Sequence, residues 1–146
     1  MNTQQNKIIK IFLRVALSTA FLSAVFDRSG YWPKEVSAWG NWENFLNYTH
    51  TLLPWMPDIF VPFVGLVATL LEVVFAICLL IGFKTELFAK LSGILLLCFA
   101  LSMTFTTGLK APLDYSVFTA AAAAFSLSMI TNKYFEVDAI LKKNKS

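Results

Sequence analysis

The sequence predicts an all-α fold: a bundle of four transmembrane helices, with a short amphipathic interfacial helix in the loop between the first two. Three observations carry that reading. The chain of 146 residues is 57% hydrophobic and 15% aromatic, with a mean hydropathy of +0.63, a membrane composition rather than a soluble one. It contains apolar runs of bilayer-crossing length at about 8–26, 59–81, 87–107 and 112–130. Its charged residues, only 14% of the total, gather at the ends of those runs instead of spreading over helix faces. By length, 1–146 reads as a single membrane domain.

Lys7 and Lys10 stand at the start of the first run and Arg14 interrupts it. A basic start, an apolar middle and small residues at Ser23 and Ala24 give the outline of a signal peptide. The internal arginine and the length of the run argue instead for a first span. Segment 27–58 holds all four tryptophans, Trp32, Trp39, Trp42 and Trp55, as expected of rings that prefer the membrane interface. Within it, Trp39, Trp42, Leu46, Thr49 and Leu53 recur at steps of three and four, which predicts an amphipathic helix closed by Pro54.

The second run, IFVPFVGLVATLLEVVFAICLLI, has one charge, Glu72, near its middle. Gly82 and the turn Phe83-Lys84-Thr85-Glu86 are so short that the next helix must be its antiparallel neighbour. That helix ends near Thr104, Thr106 and Thr107. Pro112 suits a helix start, and the small side chains of 120–124 invite close approach by another helix. With both termini inside, the inner segments hold Lys7, Lys10, Lys84, Lys90, Lys133, Lys142, Lys143 and Lys145, and the outer ones only Arg28, Lys34 and Lys110. That bias predicts cytoplasmic termini and an outward-facing Trp-rich segment.

A carboxyl group in hydrocarbon needs a partner, and Arg14 is the nearest candidate for Glu72 by depth. Their intramembrane polar site has two readings: an ion pair that fixes helix register, or a ligand, proton or quinone site. Asp27 and Asp114 at the outer ends of the first and fourth runs, with Tyr115, Trp42, Tyr48 and His50, outline either interfacial residues or a polar mouth above Glu72. Cys78 and Cys98 lie in apolar runs without CxxC spacing, and His50 is the sole histidine, so no metal site is expected. The net charge of +3 implies no nucleic-acid partner.

The arginine-bearing first span ending LSAVFDRSGYWP, the Glu72 span running LEVVFAICLLIGFKTELFAKLSG and the alanine-rich last span resemble the DoxX family of bacterial four-helix membrane proteins. Lys84-Thr85 stands where family members often read threonine-arginine. The resemblance implies a bacterial inner-membrane location and a membrane subunit of a redox complex of thiosulfate or thiol:quinone type, with quinone as the implied cofactor and a second redox subunit as partner. A related archaeal protein is a subunit of a thiosulfate:quinone oxidoreductase, and bacterial members are linked to thiol and oxidative stress. The alternative from another class is a non-enzymatic scaffold or assembly factor, homo-oligomeric or bound to another membrane protein. A small-molecule or proton carrier is a third, thinner reading, since one buried acid and no repeat make a poor pathway.

Overall fold

The computed structural model describes residues 3–143, and its elements are all helical: α1 (Thr3–Arg28), α2 (Trp42–Leu52), a 3₁₀ turn (Asp58–Phe60), α3 (Val61–Ile81), α4 (Thr85–Thr107), α5 (Lys110–Asp114), α6 (Val117–Ser128) and α7 (Val137–Lys143). Lys145 of the basic tail lies outside the described residues, as do the side chains of Lys142 and Lys143. Three stretches, Gln4–Arg28, Asp58–Ile81 and Thr85–Thr107, are long and apolar enough to cross a membrane. Their outward side chains, among them Phe12, Phe63, Leu66, Leu70 and Phe105, form an apolar surface that suits lipid and not water. The end where α1 begins and α3 turns into α4 is termed basal here, and the opposite end distal.

Helix α3 begins with a proline in its first turn and stops at Gly82, whose left-handed φ of 74° lets its N–H and that of Phe83 return to the Leu79 and Cys78 carbonyls. The tight turn makes α4 the antiparallel neighbour, as its length predicts. Helix α1 packs along α3, and α6 packs along α4. Small residues bring these helices together: Ala76, Ala89, Ala100, Ala121 and Ala124 are buried. Gly93 is a close approach, since a Cβ there would sit 2.7 Å from Cε1 of Phe125. Leu17, Leu79 and Leu127 fill the core toward the basal side, and Phe21 and Phe75 fill it toward the middle.

The fourth expected span, 112–130, is not one helix. Helix α5 ends at Asp114, Ser116 takes a left-handed φ of 56°, and α6 restarts from the Ser116 carbonyl, which accepts the Ala120 N–H. The polar run Asp114-Tyr115-Ser116 offers the backbone local alternatives to the helix ladder. The twelve residues of α6 cover about 18 Å, short of a hydrocarbon core of about 30 Å. The architecture is therefore three helices of spanning length and a shorter fourth, with residues 129–136 continuing irregularly across the basal end.

The amphipathic helix expected in the Trp-rich segment is α2. Asn41 caps it, its side chain accepting the Asn44 N–H at 2.8 Å, so Trp39 precedes the helix and does not belong to it. Its buried face, Phe45 and Thr49, lies on α3 at Gly65, where a Cβ would fall 2.8 Å from Leu46 Cδ2 and 3.2 Å from Phe45 Cε1.

Candidate functional site

Arg14 and Glu72 do not pair. Glu72 takes Arg28, whose Nη2 lies 2.7 Å from Glu72 Oε2, and both side chains are buried. Arg14 donates to four backbone carbonyls instead: Leu79 and Leu80 at the end of α3, at 2.8 and 2.9 Å, and Tyr134 and Phe135 beyond α6, at 2.9 and 3.0 Å. Two physical facts decide this. Side chains on a helix lean toward its N-terminus, so on α1 Arg14 leans to the basal end, away from Glu72, and Arg28 leans back into the bundle toward it. The register agrees: Ser18 donates to the Ala76 carbonyl, which sets Arg14 level with the C-terminus of α3, where unpaired carbonyls and the negative end of the dipole favour a cation. The expected depth had placed both apolar runs at one starting level, and they are offset.

At the distal side, Arg28 is the centre of a cage. It donates to the Thr69 hydroxyl at 2.8 Å and to the Ala24 carbonyl at 3.1 Å, and its guanidinium lies 4.0 Å from the Phe45 ring centre and 5.3 Å from that of Trp39. One side chain thus joins α1, α2, α3 and the loop before α2. Its neighbour Asp27, also buried, organises that loop: it accepts the Ser37 hydroxyl and the N–H groups of Ala38, Trp39 and Gly40. Trp32 closes the same corner by donating to the Ser23 carbonyl at 3.1 Å.

Between these groups lies an open groove of about 720 Å³, walled by Ala20, Ser23, Ala24 and Asp27 of α1, by Trp32, Val36 and Trp39, and by Tyr115. Of the six residues expected at an outer mouth, Asp27 and Tyr115 line this groove. Tyr48 stands beside it, its ring 6.0 Å from that of Trp39. Burial raises the Tyr48 phenol above its ordinary value and the neighbouring Tyr115 adds to the effect, so it stays protonated. The other three are elsewhere. Trp42 packs on Phe45 and Gly65, His50 reaches Asp58 at 3.0 Å on the surface, and Asp114 pairs with Lys110 one turn away on α5.

The basal end carries a second polar cluster. Lys10, with no exposed side-chain surface, lies 2.6 Å from the equally enclosed Glu136 and 3.5 Å from Glu86, and donates to the Asn132 carbonyl at 2.8 Å. Lys133 binds Glu86 at 2.6 Å, Asp138 at 3.2 Å and Glu136 at 3.5 Å. Asp138 in turn accepts the Lys84 N–H at 2.9 Å. Burial would push the Asp138 carboxyl up, but the Lys84 and Lys133 hydrogen bonds and the Lys133 charge outweigh it and hold it below the usual range. Burial would push Lys133 down, and the Glu86 and Asp138 bonds outweigh that and raise it.

The sequence carried a faint signal for this clasp in Lys10, a lysine among isoleucines. Glu136 and Asp138 carried none, since they sit among lysines in a tail that reads as solvated. Cys78 and Cys98 are both free thiols. No protein-family model, curated protein or solved structure matches this chain.

Proposed function

We propose that this chain is a DoxX-like inner-membrane subunit of a redox complex of thiosulfate or thiol:quinone type, with both termini cytoplasmic and the groove between Trp32, Trp39 and Tyr115 facing a quinone. The observation that carries the reading is that groove. It has room for a substituted ring at about 720 Å³, and it runs along α1 past the exposed Ala20. Flat aromatic walls suit a flat ring, and the Tyr115 and Ser23 hydroxyls are the donors that could meet ring oxygens. A bound quinone would supply two-electron carriage. The chain's own residues would orient the ring and limit water. The Asp27 carboxylate, with its acceptor positions taken by the loop, would hold the wall and not the ligand. Charge supports the orientation: the basal end holds Lys7, Lys10, Lys84, Lys90 and Lys133, against Arg28, Lys34 and Lys110 at the distal end.

The test is purification of the tagged protein in mild detergent, with extraction and mass spectrometry of bound quinone and of co-purifying proteins. The reading expects quinone together with a soluble redox partner, and loss of the quinone from Ala20→Trp, which fills the groove. Quinone recovery unchanged by Ala20→Trp would remove the groove from the account. A second reading, a membrane scaffold, is favoured by one observation: the charges within the bundle are held by internal partners, Arg28 by Glu72 and Arg14 by carbonyls. Recovery of a membrane client without quinone would move the assignment there.

A further inference from the structure

Helix α6 ends before the basal level that α1, α3 and α4 reach, and residues 129–143 complete the fourth wall as a strap. Its carbonyls are turned inward, those of Asn132, Tyr134 and Phe135 to Lys10 and Arg14. Backbone at this depth must be satisfied within the protein, and these two cations do it. Three of its apolar side chains are turned out: Met129 is 80% exposed, Phe135 75% and Ile140 64%. Phe135 also has a left-handed φ of 51°, a conformation that bulky residues rarely adopt. Arg14 Nη1 sustains it by holding the Tyr134 and Phe135 carbonyls together. The strained backbone presents the ring outward, with the Lys7 ammonium 4.6 Å from its centre.

Around that rim the charges fall into two sets. Lys10 and Lys133 are neutralised inside the clasp by Glu86, Glu136 and Asp138. Among the described residues, Lys7, Lys84 and Lys90 form no ion pair, and Lys84 and Lys90 are exposed. At the distal end Lys110 is paired with Asp114, and Lys34, exposed and without an ion pair among the described residues, stands next to Glu35 in the sequence. Apolar tips beside unneutralised ammonium groups match the layer where acyl chains meet negatively charged headgroups.

We propose that the basal strap is a lipid-binding surface that engages the phosphates of anionic phospholipids through Lys7, Lys84 and Lys90, with Met129, Phe135 and Ile140 set into the acyl boundary. The strap is then more than a plug for the bundle. It makes the protein's stability depend on the charge of one leaflet. The inference needs the membrane location but not the redox reading, so the two can fail separately.

The test uses full-length protein in nanodiscs of phosphatidylcholine alone or mixed with phosphatidylglycerol, read by thermal unfolding and by native mass spectrometry of retained lipid. The wild type should unfold at a higher temperature with phosphatidylglycerol and retain it preferentially, by roughly fivefold for each lysine engaged. The combined Lys7→Gln, Lys84→Asn, Lys90→Gln variant should lose that preference while keeping its midpoint in phosphatidylcholine. Phe135→Gly relieves the backbone but removes the ring, so it should hold its midpoint in phosphatidylcholine and retain phosphatidylglycerol less well. Raising the salt concentration should erase the wild-type preference without any substitution. Equal retention of both lipids, or a preference untouched by salt, would overturn the proposal. Inorganic phosphate that reproduces the shift in phosphatidylcholine nanodiscs would also overturn it, by making the site one for free anions.

Discussion

Two arginines on one helix solve the same problem in different ways. Arg14 at the basal end binds only neutral oxygens, four carbonyls from two distant segments, and leaves the nearby carboxylates to lysines. Arg28 at the distal end binds a carboxylate, a hydroxyl and two aromatic faces. The first ties the end of α3 to the irregular segment after α6. The second places charge against charge inside the bundle. Their difference teaches that the partner of an intramembrane cation depends on which way its helix points it and on what its level offers, more than on the nearest opposite charge by depth.

That contrast predicts an order of effects. Arg14→Met should be the most damaging change, at about 5 kcal/mol, because it removes four hydrogen bonds at once and no second substitution restores them. Guanidinium-free thermal unfolding in detergent would measure it, and a loss smaller than that of Arg28→Met would erase the distinction drawn here. Arg28→Met or Glu72→Met alone should each lose about 3–4 kcal/mol by stranding the other charge, whereas the double change should recover most of it. A strictly additive double-mutant cycle would show that the pair is not coupled.

Asp27→Asn should lose less, about 1–2 kcal/mol, since an amide can still accept two of the loop's N–H groups. Its mark should be faster hydrogen exchange confined to 37–40, and uniform change across the molecule would contradict the loop role. The smallest effect belongs to pH. The folded Asp138 carboxyl titrates below its unfolded value of about 3.9. Its contribution is therefore whole above that pH and is lost as the pH falls through the lowered folded value. Amide exchange near α7 should accelerate there in the wild type and show no such step in Asp138→Asn.

Hydropathy made the three long helices legible, and turn length made α3 and α4 neighbours, because both depend on local composition alone. The amphipathic pattern of α2 was legible for the same reason, although Trp39, expected in the helix, precedes its cap at Asn41. The break at Tyr115-Ser116 was not, since a left-handed serine between two apolar stretches leaves only three polar residues as a trace. The partner of Glu72 was out of reach because it needs the axial offset of α1 against α3, which tertiary packing sets. Asp27 was found as a residue of interest, but its work on the 37–40 loop lies in backbone N–H groups that a side-chain pattern cannot display.

The four carbonyls of Arg14 also set an order in time. Leu79 and Leu80 leave the ribosome well before Tyr134 and Phe135, so during synthesis the guanidinium can meet only half of its acceptors. Until the later pair arrives, the packed α1 and α3 keep a guanidinium with one nitrogen, Nη1, still without its carbonyls. Completion of the bundle is thereby tied to the emergence of Tyr134 and Phe135 from the ribosome.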